Sequence, residues 1–163
     1  MKRVAVEFRC ATARGRGYAR GLRGDADRLM RAVGLDECEL SLTLTSDRAI
    51  RRLNRDFRGI DTPTDVLSFS QIEQAGAAPP DPHRVKNSPG LPVGDVVISI
   101  DTALRQAREY RVSPTSRLRR LLIHGFLHLI GYDHERSAAD ARRMFARERS
   151  LSAKIDQERV SSR

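Results

Sequence analysis

With 163 residues the chain has the length of one domain, enough to bury an ordinary core, and nothing in it demands a second. Its net charge of +9 is carried almost wholly by arginine, since Lys2, Lys86 and Lys154 are the only lysines. The guanidinium fork matches phosphate, so the charge favours a nucleic-acid partner, while the lack of a membrane-length apolar run or a signal-peptide core excludes a membrane span and predicts a cytoplasmic location. Cys10 and Cys38 form no C-x-x-C pair and read as reduced packing residues.

Along the chain, Val4, Val6 and Phe8 alternate as a short half-buried strand, and Cys38, Leu40, Leu42 and Leu44 repeat the pattern. Between them Ala26, Leu29, Met30 and Val33 recur at helical spacing after Asp25, with Gly34 as the stop. The preceding stretch, Arg14 to Gly21, fits either a short RGG-type nucleic-acid segment or a flexible basic loop. Ser46 caps a helix with Ile50 and Leu53 inward and Arg48, Arg51, Arg52 and Arg55 outward, a stripe that suits RNA or plain solvent. Val66 to Phe69 and Val96 to Ile100 are runs suited to buried strands. Between them Gln71 to Pro92, rich in proline, reads as a long loop in which His83 is an exposed residue and not a metal ligand.

Asp101 or Thr102 starts a helix through Leu104, Ala107 and Arg111, and Pro114 after Ser113 opens the next. Ser137 and Asp140 approximate a capping box for a last helix with Ala141, Met144, Phe145, Leu151 and Ile155 on one face. One domain is expected over residues 1–157, with a frayed tail over 158–163. The order of elements predicts an α+β fold, a small mixed β-sheet packed against several α-helices.

The strongest chemical signal is His124-x-x-x-His128-x-x-Gly131-x-x-His134. Residues four apart share a helix face, so His124 and His128 can aim at one centre, and a glycine at the helix end can turn the chain to bring His134 to the same point. The spacing predicts a metal site at the end of a central helix, one ion per chain, with zinc the first expectation although imidazole also suits copper, iron and nickel. The residue after the first histidine is Gly125, where H-E-x-x-H proteases carry their general base. A protease reading is therefore weakened, and three neutral imidazoles leave the full charge of the ion to act on a phosphodiester. Asp133, beside the last histidine, and Asp95, in a strand, are open as general base or as partners that orient a histidine.

The block HGFLHLIGYDH, preceded by LNRDFRGIDTPTDVLSFS from Leu53 to Ser70 and VGDVVIS from Val93 to Ser99, resembles the YbeY family of bacterial rRNA maturation factors. The resemblance implies a metal-dependent, single-strand-specific endoribonuclease that matures the small-subunit rRNA 3′ end and serves ribosome quality control. It implies single-stranded RNA, rRNA and the ribosome or its proteins as partners. It also singles out Arg58, whose fork could pair with the scissile phosphate, the alternative being an anchor for the following turn through Asp61 or Asp65. Phe57, Ser70 and the long Gln71 to Pro92 loop depart from the family pattern. Two other readings stand beside it: an RNA-binding ribosome-assembly factor with a mainly structural metal, and a metzincin-like protease.

Overall fold

The computed structural model describes residues 5–72 and 81–163, so Val4 and part of the predicted long loop lie outside it. The chain runs β1 (Ala5–Cys10), α1 (Arg16–Ala32), β2 (Glu39–Thr45), α2 (Asp47–Arg58), β3 (Val66–Ser70), β4 (Pro92–Ser99), α3 (Ile100–Glu109), α4 (Pro114–Leu129) and α5 (Ala138–Ser161). The four strands form one sheet in the order β1-β2-β4-β3, with β1, β2 and β4 parallel and β3 antiparallel at the edge. This is the mixed sheet and helix set of an α+β domain.

The strand sequences explain which face is covered. In β2, Leu40, Leu42 and Leu44 are buried and alternate with Glu39, Ser41 and Thr43, so one face meets the core and the other is partly open. In β4, Val96, Val97 and Ile98 are all buried, because α2 covers the second face there with Ile50 against Leu67 and Val97. The main core lies on the first face, where α1, α4 and α5 pack. α4 is the central helix, in contact with α1, α3, α5, β3 and β4. A helix buried on most of its sides must be largely apolar, and from Leu118 to Leu129 only Arg119, Arg120, His124 and His128 break the apolar run.

Helix starts follow the sequence closely. Ser46, Ser99, Ser113 and Ser137 each cap a helix by accepting a backbone N–H bond, from Ala49, Thr102, Ser116 and Asp140 respectively. Where the expectations fail, packing decides. α1 begins at Arg16, so most of the Arg14 to Gly21 segment is helix and not a flexible loop; buried Leu22 and half-buried Tyr18 offset the roughly 1 kcal/mol that each helical glycine costs. α3 starts at Ile100, which was read as strand, and stops at Glu109, because Arg111 takes a positive φ of 55°. Phe145 was expected on the buried face of α5 but is exposed, whereas Met144, Leu151 and Ile155 are buried. α5 itself remains helical through Ser161, into the stretch read as a tail.

The N-termini of α2 and α3 are joined by a compact charge network. Asp47 accepts from the Ser99 and Thr102 hydroxyls at 2.6 Å each and from Arg105 at 2.8 Å, while the Asp47 N–H donates to Asp101 at 2.9 Å. Burial pushes the Asp47 carboxyl up, but the bonds from Ser99, Thr102 and Arg105 outweigh it and hold the pKa below the ordinary value. A depressed carboxylate pKa adds stability that is complete above its unfolded value and is lost as pH falls through the folded one. Asp47→Asn should therefore lower Tm at neutral pH, and the gap to wild type should close on acidification below about pH 4. A gap that stays constant down to pH 2 would contradict this network.

Candidate metal centre

α4 carries the site because it can approach the sheet closely at one point. A Cβ on Gly125 would lie 2.9 Å from Val66 Cγ2, 2.9 Å from Val96 Cγ1 and 3.0 Å from Ser68 Oγ, so only glycine fits beneath the helix there. Two β3 hydroxyls then fasten the helix: Ser68 donates to the Gly125 carbonyl and Ser70 to the Leu129 carbonyl, both at 2.8 Å. With residue 125 against the sheet, His124 and His128 emerge on another side of α4. Gly131, at φ 112°, turns the chain after the helix, and Arg136 donates to its carbonyl at 2.8 Å.

The three histidines meet as the spacing predicts. Their ring centroids are separated by 4.8, 5.1 and 5.2 Å, and one nitrogen from each lies within 4.8 Å of the other two. Three imidazole nitrogens this close are candidates to share one ion, which takes such ligands at about 2.0–2.1 Å. Among the described residues no carboxylate or cysteine joins this group.

The hydrogen bonding around the rings suits a cation. His124 Nδ1 is 2.6 Å from Glu148 Oε1, which fixes Nδ1 as the donor and leaves the Nε2 lone pair facing inward. Nε2 of His128 stands 3.2 Å from that Nε2, and His134 Nδ1 is buried with no hydrogen-bond partner. Converging lone pairs and an orphaned buried nitrogen are costly in a protein alone and become favourable around a shared dipositive ion. Burial holds His128 below its ordinary pKa, helped by the charges of His124 and His134 and opposed by Asp133 and a backbone hydrogen bond with Tyr132. Its neutral form, the ligand form, is thereby favoured.

A model of the family described as Endoribonuclease YbeY matches residues 22–156. The chain belongs to that family. It is 48% identical over 148 residues to Endoribonuclease YbeY of Anaeromyxobacter sp. (strain Fw109-5), covering 91% of this chain and 70% of the relative. The same-named protein of Geobacter metallireducens is 47% identical over 139 residues, with 84% and 86% covered. The fold is that of the Thermotoga maritima protein TM1509, solved in solution, with a TM-score of 0.63 at 24% identity over 96% of this chain and 93% of that one.

The other residues singled out in the sequence fall elsewhere. Arg58 is exposed at the end of α2, on the opposite face of the sheet from α4, and forms no hydrogen bond or ion pair with a described residue. Both of its alternative anchors are already engaged: Asp61 accepts from Arg51 at 2.9 and 3.2 Å, and Asp65 from Gln106 at 3.2 Å and Arg117 at 3.4 Å. Asp95 accepts from Gln71 at 2.8 Å, and Asp133 caps the Glu135 N–H at 2.9 Å. Neither orients a histidine. The carboxylate that does so is Glu148, which sequence reasoning missed. A signal was present: positions 141, 144, 148, 151 and 155 make one stripe on α5, and Glu148 is the charged member of it.

Removal of that carboxylate should loosen the ligand shell. Glu148→Ala is expected to weaken metal affinity about 10–100-fold in competition with a chelator, the usual range for such supporting partners, while the fold persists. Unchanged affinity would show that Glu148 does not orient His124.

Proposed function

We propose that this chain is a metal-dependent endoribonuclease that cuts single-stranded RNA, acting in rRNA processing at the small-subunit 3′ end and in ribosome quality control. The observation that carries this reading is the three-histidine cluster, tied from behind by Glu148, in a chain of the endoribonuclease YbeY family. His124, His128 and His134 would hold one ion, most simply zinc, with a position left for water or substrate. The bound ion would supply a Lewis acid for a phosphoryl oxygen and a water of lowered pKa.

The protein groups have separate tasks. Glu148 holds His124 in the ligand tautomer, and burial keeps His128 uncharged. Arg58, without a partner among the described residues, would pair with the substrate phosphate and take up charge as the bond breaks. Since α2 and α4 lie on opposite faces, an RNA strand that meets both would pass over the β3 edge, where Phe57 packs edge-on against Phe69 at 5.1 Å. Partners under this reading are single-stranded RNA, rRNA and the ribosome, in the cytoplasm; no described helix is long and apolar enough to cross a membrane. A protease mechanism finds no support, because Gly125 leaves no carboxylate after His124 and no room for one.

The test compares single-stranded RNA, duplex RNA and a casein-like peptide with one metal-loaded preparation, using His124→Ala to exclude a contaminating nuclease. Metal-dependent cutting of the single strand alone is expected, falling steeply as salt rises. Arg58→Ala should lose at least tenfold in cleavage with full metal content, and Arg58→Lys should also be impaired, since an ammonium cannot reproduce the bidentate fork. Peptide hydrolysis without RNA cutting would refute the ribonuclease reading. Salt-sensitive binding without cutting, even with ribosomal partners present, would instead mark an assembly factor with a structural metal.

A further inference from the structure

Between α4 and α5 runs a groove of about 540 Å³ lined by Arg120 and Ile123 from one helix and by Phe145, Glu148, Arg149 and Ser152 from the other. It touches the histidine cluster at two points. The Glu148 carboxylate forms the 2.6 Å bond to His124, and the Phe145 ring centroid is 6.4 Å from that of His134. Arg120 stands one helical turn before His124, so Arg120, His124 and His128 step along one side of α4.

The chemistry of this groove is selective. Phe145 leaves 45% of its surface to water beside a metal-ligand candidate, and Ile123 supplies an apolar floor. Arg120 and Arg149 are exposed, and neither forms a hydrogen bond or ion pair with a described residue. The two carboxylates that line the groove are both engaged, Glu148 with His124 and Asp156 with Arg119. An open aromatic face, an apolar floor and two unpaired guanidinium groups match an unstacked base with its flanking phosphates. Charge complementarity favours an RNA strand over a peptide, whose backbone carbonyls can accept hydrogen bonds but carry no negative charge to pair with two guanidinium groups.

We propose that the groove is a nucleotide subsite, in which a base next to the scissile bond stacks on Phe145 while Arg120 and Arg149 hold the adjoining phosphates. The inference rests on the ribonuclease reading and adds a source of strand selectivity. A base can lie on Phe145 only after it leaves its neighbours, which a duplex resists and a single strand permits. Because every base has a π-face, the subsite selects for an unpaired nucleotide and not for a particular sequence.

The test uses a set of single-stranded oligoribonucleotides with 2-aminopurine moved one position at a time across the cleavage site. Wild type should quench one position strongly on binding. Phe145→Ala and Phe145→Leu should lose that quench, weaken binding about fivefold or more, and raise KM more than they lower kcat, with metal content kept, whereas Phe145→Tyr should retain the quench and affinity. Arg120→Ala and Arg149→Ala should each reduce the salt dependence of binding by about one phosphate contact. Wild-type affinity and quench in Phe145→Ala and Phe145→Leu, in a preparation whose wild type cuts RNA, would overturn the subsite alone. Loss of metal in both variants would overturn it in favour of a packing role beside His134. A wild type that neither binds nor cuts RNA would overturn the subsite and the ribonuclease reading together.

Discussion

The close seat of α4 on the β3–β4 pair is the constraint from which the site follows. A helix that nears a sheet through a bare Cα can come closer than side chains allow, and it then has one rotational setting. Gly125 makes that contact against Val66, Val96 and Ser68. The Ser68 and Ser70 hydroxyls lock it by bonding to helix carbonyls, the second of them a C-terminal carbonyl that would otherwise lack a partner. Once the setting is fixed, His124 and His128 share one direction and the turn at Gly131 supplies His134. The same glycine that permits the approach removes the position from which a protease would draw its base. Packing and chemistry are thus set by one residue.

Charge is distributed unevenly over this frame. Part of the positive charge is paired within the chain: Arg119 is buried against Asp25 and also bonds Asp156, while Arg105 with Asp47 and Arg51 with Asp61 pair at the surface. Burying an ion pair adds little net stability but makes loss of either partner costly, so the Arg119 pairs tie α4 to α1 and α5 with a defined geometry. Among the described residues the guanidinium groups left without partners, including Arg58, Arg120 and Arg149, are exposed on the outside of the helices. Pairing cancels equal charges of both signs, so it leaves the net charge of +9 unchanged and open to phosphate on unpaired groups such as these.

Legibility from sequence followed the range of the interactions. The strands of β2 and β4, the serine caps at Ser46, Ser113 and Ser137 and the histidine spacing were readable because alternation, capping and i, i+4 geometry act over a few residues, whereas the Ser99 cap lay inside a run read as strand. The glycine-rich start of α1 was not, because its helix depends on Leu22 and Tyr18 finding a core supplied by distant elements. Phe145 was misplaced for the converse reason: it sits at the margin of the buried stripe, and only the position of α4 decides that it faces the groove. Glu148 was overlooked although it falls within the stripe. A carboxylate among Met144, Leu151 and Ile155 is costly to bury without a partner, and that partner is His124, on a different helix. Arg58 came from family resemblance alone; it is exposed and forms no ion pair with a described residue.

X-ray absorption spectroscopy on metal-loaded protein, read together with His134→Ala, tests the central claim most directly. The account predicts one ion with three imidazole nitrogens at about 2.0–2.1 Å and a light oxygen scatterer that exchanges with solvent, falling to two imidazoles in the variant. A shell of four protein ligands, or one unchanged by loss of His134, would contradict an open three-histidine centre.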